Sequence, residues 1–188
     1  MKSKKLKEIE KEAKLCKKCH LYKKRKNVVF GSGNPYSKVI FIGEAPGKNE
    51  DEKGIPFCGK AGEILDFLLD TIGLKRKNVY ITNVVKCRPP GNRRPKKNEI
   101  EKCKEYLIKQ IEIIKPKIIC CLGDIALKFI FENYSIKKNK GITEMHGRII
   151  KLNNFKVFPV FHPAYAIYNR KILKVMRDDF KKLKEFLC

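Results

Sequence analysis

The 188-residue sequence contains no apolar run long enough to cross a bilayer; its longest, such as residues 118–122, fall far short of the ~20 residues that a spanning helix needs. Its N-terminal segment is rich in Lys and Glu and lacks the apolar centre of a signal peptide, so the expected compartment is the cytoplasm, with no membrane partner. Internal repeats and low-complexity linkers are also missing. Residues 1–188 are therefore expected to form a single domain, and 43% hydrophobic residues suffice for its core. Acidic residues are scarce: 20 Asp and Glu against 44 Lys and Arg leave a formal charge of +24. That excess exceeds what solubility requires and points to an extended polyanion such as nucleic acid. Arginine is scarce as well, with eight of the 44 cations, and a lysine-rich surface also arises from genome composition or adaptation to heat, so charge alone does not fix the partner.

What is present alternates. Residues 3–15 place Leu6, Ile9 and Ala13 at helical spacing among charges, and the helix is expected to end near Cys16, followed by a basic connector at 23–26. Residues 38–42 form a compact apolar run that reads as a buried strand, and 60–72 carry Ile64, Leu65, Leu68, Leu69 and Ile72 on one helical face. A strand is expected at 79–85, then a Pro/Gly/Arg loop at 87–95. The next helix takes Asn98 as its N-cap, with Ile100, Cys103, Leu107, Ile111 and Ile114 facing inward. A strand at 117–122, a helix at 124–131, a strand at 155–161 broken by Pro159, and an amphipathic helix at 171–187 complete the chain. Strands alternating with helices predict an α/β fold in three layers, α/β/α, around a central, mainly parallel four-stranded sheet. The segments richest in Gly, Pro and polar residues, at 43–47, 83–90, 123–124 and 162–163, all fall at the carboxyl ends of predicted strands, the edge where open parallel sheets bind ligands.

Eight cysteines in a reducing compartment are not expected to pair as disulfides. Cys16 and Cys19 form a C-x-x-C pair, while Cys87 and Cys103 stand in a loop and on the following helix. Four thiolates at these positions can converge. A structural zinc site would usually close with a second tight pair, so the long second spacing favours an iron-sulfur cluster. A redox role for the C-x-x-C is weaker, because the pair ends a helix instead of opening one. Cys58, Cys120, Cys121 and Cys188 read as small buried hydrophobes.

Several motifs agree in order and spacing: Gly43-Glu44-Ala45-Pro46-Gly47, Glu50-Asp51, Phe57 with Gly59-Lys60-Ala61-Gly62, Thr82-Asn83 leading into Lys86-Cys87-Arg88-Pro89-Pro90-Gly91-Asn92-Arg93, and His162-Pro163-Ala164-Tyr165. Together they resemble the family 4 uracil-DNA glycosylases over nearly the whole chain. The resemblance implies a DNA-repair enzyme that hydrolyses the N-glycosidic bond of uracil in single- and double-stranded DNA and leaves an abasic site. It also implies one 4Fe-4S cluster on Cys16, Cys19, Cys87 and Cys103, formed between the N-terminal segment and the 87–103 loop and helix, and a monomer acting on DNA.

The chemistry assigns the expected roles. A flipped base must be gripped by its polar edge and stacked on an apolar face. The Asn83 amide offers the donor and acceptor that match a pyrimidine O4 and N3-H, and Phe57 offers the face; their bland alternatives are a loop-capping Asn and a core Phe. As the bond breaks, negative charge builds on uracil, and a neutral His162 can donate to O2. A water must be positioned too. Better-known relatives in the wider superfamily place an Asp at the position of Ala45, which cannot serve, so Glu44, Glu50, Asp51 or backbone groups of the 43–47 loop, Ala45 and Gly47 included, must hold it. By resemblance Glu50 sits near the uracil C5 edge. Residues 164–170 resemble the family's intercalating loop, with Ile167 or Tyr168 as the wedge. Arg88, Arg93, Arg94, Lys96 and Arg170 are expected at phosphates, with residues 146–148 as a further contact. No lysine is expected as a Schiff-base nucleophile, so strand cleavage is not anticipated. Two other readings remain: a metal-stabilised nucleic-acid-binding module, which leaves the polar strand ends unexplained, and an α/β enzyme using residues 43–47 as a phosphate loop, which lacks the Gly-x-Gly-x-x-Gly and Lys-Ser/Thr signatures.

Overall fold

Strands buried on both faces read as unbroken apolar runs, and the four such runs of this sequence become the inner strands of one sheet. The computed structural model describes residues 1–136 and 140–187; Cys188 lies outside them. In chain order the elements are α1 (Lys2–Leu15), β1 (Ser32–Gly33), β2 (Val39–Gly43), α2 (Lys48–Lys53), α3 (Lys60–Thr71), β3 (Tyr80–Asn83), α4 (Lys97–Ile114), β4 (Ile118–Leu122), α5 (Asp124–Asn133), α6 (Ile142–Met145), β5 (Ile150–Lys151), β6 (Lys156–Val160) and α7 (Arg170–Glu185). The sheet order is β1-β3-β2-β4-β6-β5. The inner four strands run parallel, as expected, but the sheet has six strands, because β1 and β5 add antiparallel edges. Two residues apiece, half of them exposed, give these edges no apolar run to read.

Side-chain alternation sorts the two faces. Ile40 and Ile42 of β2, with Ile119 and Cys121 of β4, join α1, α4 and α5 on one side. Val39 and Phe41, with Cys120 and Leu122, join α3 and α7 on the other. Phe41 stacks on Phe180 of α7 with ring centroids 5.9 Å apart. Cys120 and Cys121 are fully buried small hydrophobes, and burial pushes both thiols far up. Cys58 is only partly buried, in the turn between α2 and α3.

Two local expectations are corrected. Pro159 does not break its strand: its carbonyl accepts the Gly147 N–H (2.9 Å) on the outer side, ahead of the first residue of β5, so its missing N–H removes no bond to β4. The N-cap of α4 is Lys96, not Asn98; the Glu99 carboxylate reaches back to the Lys96 N–H (2.7 Å). Among the described residues no helix is long and apolar enough to cross a membrane.

The α3/α7 face depends on Phe180. Phe180→Ala is expected to cost about 3–5 kcal/mol in urea unfolding, the usual range for a buried aromatic, and a loss under 1 kcal/mol would contradict this account of the packing.

Candidate active site

Between β2 and β4 the chain's direction of travel across the sheet reverses: β2 leads to β3 on one side, β4 to β6 on the other. The carboxyl ends of β2 and β4 therefore diverge into separate loops, leaving a crevice. A cleft of about 420 Å³ opens there. Glu44, Ala45, Pro46 and Gly47 line it from the β2 loop, Asn83 from the end of β3, Gly123 and Asp124 from β4, and His162 from beyond β6. Glu50, Phe57, Arg93, Arg94 and Tyr165 complete the walls.

Asn83 is 1% exposed, and its Oδ1 is the one buried side-chain polar atom among the described residues without a hydrogen-bond partner. Such an orphan costs about 1–3 kcal/mol, which marks the place where a ligand donor belongs. Beside it, a β-carbon at Gly43 would collide with that oxygen and with the Phe57 ring, so only glycine lets the three approach. Phe57 is buried with a left-handed backbone, φ 52°, a conformation that costs of order 1–3 kcal/mol in a non-glycine residue. Arg76 holds it there: the guanidinium donates to the carbonyls of Pro56 (2.9 Å) and Phe57 and pairs with Asp66 (2.6 Å). Gly62 packs so tightly on the Phe57 carbonyl that no side chain fits.

The His162 ring lies 5.6 Å from that of Phe57. Its Nδ1 accepts the Ala164 N–H (3.2 Å), capping the turn Pro163–Ala166. A neutral ring that accepts at Nδ1 carries its proton on Nε2, leaving a donor free. Burial pushes its pKa down to about 4, so the ring is neutral at physiological pH.

The acidic groups divide. Glu50 lines the cleft, but its carboxylate accepts three backbone N–H groups, of Gly47 (3.1 Å), Cys58 (2.9 Å) and Gly59 (2.9 Å). It braces the 43–47 loop against the Phe57 turn. Asp51 is buried outside the cleft and accepts the N–H groups of Lys26 and Asn27. Glu44 has no such ties; burial raises its pKa, Arg94 opposes the shift and Asp124 adds to it.

A second, smaller pocket lies behind β3, and Cys16, Cys19, Cys87 and Cys103 all line it. The Arg25 guanidinium donates to Cys87 Sγ (3.3 Å) and the Lys86 N–H to Cys103 Sγ (3.4 Å). Burial pushes the Cys103 thiol up to about 12 and raises that of Cys87, with Arg25 opposing. Among the described residues no three side chains are grouped so as to hold a metal ion.

Residues 30–187 match the Uracil DNA glycosylase superfamily. The chain is 50% identical over 181 residues to the type-4 uracil-DNA glycosylase of Pyrobaculum aerophilum (94% of this chain, 90% of the relative). It is 47% identical over 184 residues to that of Saccharolobus solfataricus (95% and 85%), and 43% identical over 187 residues to that of Archaeoglobus fulgidus (97% and 93%). The chain belongs to the type-4 uracil-DNA glycosylases.

For a type-4 uracil-DNA glycosylase, the residues anticipated in the cleft, namely Glu44, Ala45, Gly47, Glu50, Phe57, Asn83 and His162, do converge. The cations are less uniform. Arg93 is committed to Glu99 in a two-bond pair (2.9 and 2.6 Å) and to the Arg94 carbonyl, whereas Arg88 donates to Asn92 (2.7 Å) at the cleft rim. Lys96 is exposed at its helix cap. His146 pairs with buried Asp179 (2.8 Å), which ties that segment to α7. Ile167 is half-buried, Tyr168 is 91% exposed, and Arg170 opens α7 on the surface. Sequence reasoning missed Arg76, Asp124 and Lys86. Of these, Asp124 has its place directly after a strand and Lys86 its place in the 82–93 motif, though neither place assigns a role; Arg76 carries no signal. Lys86 is wholly buried, and burial pushes its pKa down to about 7, with Cys103 and Cys87 opposing.

Because the folded pKa of His162 lies below its ordinary 6.5, the unfolded chain binds the proton more readily. The contribution of this residue to stability is complete above pH 6.5 and is lost as pH falls toward 4. In NMR titration the His162 ring, assigned by its absence in His162→Asn, is expected to titrate near 4; a midpoint near 6.5 would contradict the burial.

Proposed function

We propose that the cleft takes a uracil flipped out of single- or double-stranded DNA and hydrolyses its N-glycosidic bond, releasing uracil and leaving an abasic site. The observation that carries this reading is the orphaned Oδ1 of Asn83. It accepts N3-H of uracil, and the same amide donates to O4; cytosine, with a bare N3 and an amino group at position 4, offers the opposite pattern. Phe57 stacks on the base. Glu50, with Gly47 and Ala45, walls the C5 edge, where a thymine methyl would have to fit.

As the C1′–N1 bond breaks, its electron pair passes to the uracil ring. The neutral His162 donates from Nε2 to O2, where the charge gathers, in a site that excludes water and so strengthens the bond. Glu44 positions the water that adds to C1′ and takes its proton; Ala45 has no side chain for this. A weak base serves, because bond breaking runs ahead of attack. No lysine lies among the described residues that line the cleft, which supports a monofunctional hydrolase. Tyr168, with Ile167, fills the gap left by the base, and Arg88, Arg94, Lys96 and Arg170 meet phosphates. Arg93 shapes the loop through Glu99 as well as adding charge.

Cys16, Cys19, Cys87 and Cys103 would hold a 4Fe-4S cluster. Support comes from the donor set: four thiols on one pocket, two of them already accepting N–H bonds of the kind that stabilise anionic sulfur. A cluster spreads its ligands more widely than a single ion does. When bound it supplies a cross-link between the end of α1 and the start of α4, and no electrons, since hydrolysis transfers none. In this reading the chain acts as a single-domain monomer in the cytosol.

Purified protein incubated with a uracil-containing oligonucleotide, single-stranded or duplex, should produce alkali-sensitive sites at uracil. His162→Ala should slow the single-turnover rate by about 10²–10³, as loss of one charge-stabilising donor does, and Asn83→Ala should be comparably impaired. Folded wild-type protein that produces no such sites would refute the reading. Cys87→Ala should lower the melting temperature and DNA affinity more than the chemical rate and should weaken the broad visible absorption that a bound cluster would give the wild type; a normal melt with abolished chemistry would place the thiol in catalysis instead.

A further inference from the structure

Lys86 is 1% exposed, and a buried ammonium is tolerated only when its hydrogen bonds are met. Its three protons go to Thr82 Oγ1 (2.7 Å), the Asn83 carbonyl (2.7 Å) and Gln110 Oε1 (2.6 Å). The acceptors are themselves fixed. Thr82 Oγ1 donates to the Phe30 carbonyl (2.7 Å), and Gln110 Nε2 donates to the same carbonyl (2.9 Å) and to the Tyr80 hydroxyl (3.2 Å). The backbone of Lys86 is held too, its N–H by Cys103 Sγ (3.4 Å) and its carbonyl by the Val29 N–H (2.8 Å).

An apolar side chain of similar length would fill this space without the desolvation that a cation incurs. What the cation adds is a donor for the carbonyl of Asn83, the residue whose amide is left unmatched in the cleft. β3 ends at Asn83; on the β2 side the Val84 N–H still donates to the Gly43 carbonyl (2.9 Å), while the Asn83 carbonyl on the other side of that peptide is held by the Lys86 ammonium. We propose that Lys86 is a positioning residue, which fixes the Asn83 peptide and so aims its amide at the base, and which ties the base-reading strand end to the cysteine pocket. This rests on Asn83 reading uracil. Recognition by an amide tolerates displacements of well under an ångström, so releasing the peptide loosens the chemistry without touching DNA contacts elsewhere.

The test uses the full-length protein under enzyme excess, where the single-turnover rate constant is independent of the folded fraction. Lys86→Met keeps the side-chain length; Lys86→Met combined with Gln110→Met also removes an acceptor that would otherwise be left bare. Both are expected to lose about 10- to 100-fold in rate constant, with half-saturation by DNA changed by less than about twofold. The same substitutions made in Asn83→Ala should cost almost nothing further, because a residue that acts through Asn83 is coupled to it. Equal losses in both backgrounds, or a paired variant within about twofold of wild type, would overturn the proposal. A wild-type protein inactive on uracil would instead overturn the functional reading on which it stands.

Discussion

Parallel strands deliver their carboxyl ends to one edge, and there each peptide leaves the ladder with polar groups unmet. Everything at the site of this type-4 uracil-DNA glycosylase follows from how those groups are satisfied. Most are met from within. Glu50 collects three amides of the 43–47 loop and the Phe57 turn, Arg76 takes the carbonyls of Pro56 and Phe57, Lys86 takes that of Asn83, and His162 accepts the Ala164 amide. The Oδ1 of Asn83 alone is left over among the buried side-chain atoms of the described residues. An edge so fully braced elsewhere makes the exception a binding feature.

The same burial sets the electrostatics. Taking a group out of water disfavours its charged form, so His162 is held neutral and Glu44 is drawn toward its acid form. Both shifts suit a reaction that separates charge. A neutral imidazole lends a hydrogen bond without surrendering a proton, and a carboxylate of raised pKa takes a proton from water more readily. The chain carries +24, yet among the described residues that line the cleft the cations are Arg93, already paired with Glu99, and Arg94. Most of the excess charge lies on the surface, where a basic excess attracts a polyanion at long range.

The inner sheet was legible because strands buried on both faces leave unbroken apolar runs, and α3, α4 and α7 because their inward residues recur at helical spacing. The edge strands were not, since two-residue pairings leave no periodic trace. In the site, Asn83 and His162 could be named because they stand at or just past strand ends within recognisable motifs, and Phe57 because it lies in such a motif between α2 and α3. Arg76, by contrast, lies in a basic stretch between α3 and β3, and only the fold brings it back to Phe57. Lys86 stood in a recognisable motif, but its role was hidden among 36 lysines; composition and spacing do not separate a solvated ammonium from one bonded to three buried acceptors.

That distinction bears on why an enzyme of this family carries a cysteine pocket separate from its cleft. The segment between Asn83 and Cys103 is rich in Pro and Gly and has little regular structure of its own before α4 begins at Lys97. Left to itself, such a segment would let the end of β3 shift, and with it the Asn83 amide that lines the cleft. Lys86 fastens the near end from inside, through Asn83, Thr82 and Gln110, while Cys87 and Cys103 face the pocket that α1 closes with Cys16 and Cys19. The two anchorages meet in one residue, because the amide of Lys86 is bonded to Cys103 Sγ. A cross-link at the pocket would therefore stiffen the Val85–Lys86 peptide, two along from the Asn83 peptide that the ammonium holds. On this view the pocket contributes to recognition through geometry alone, and it needs no electron transfer to matter for catalysis.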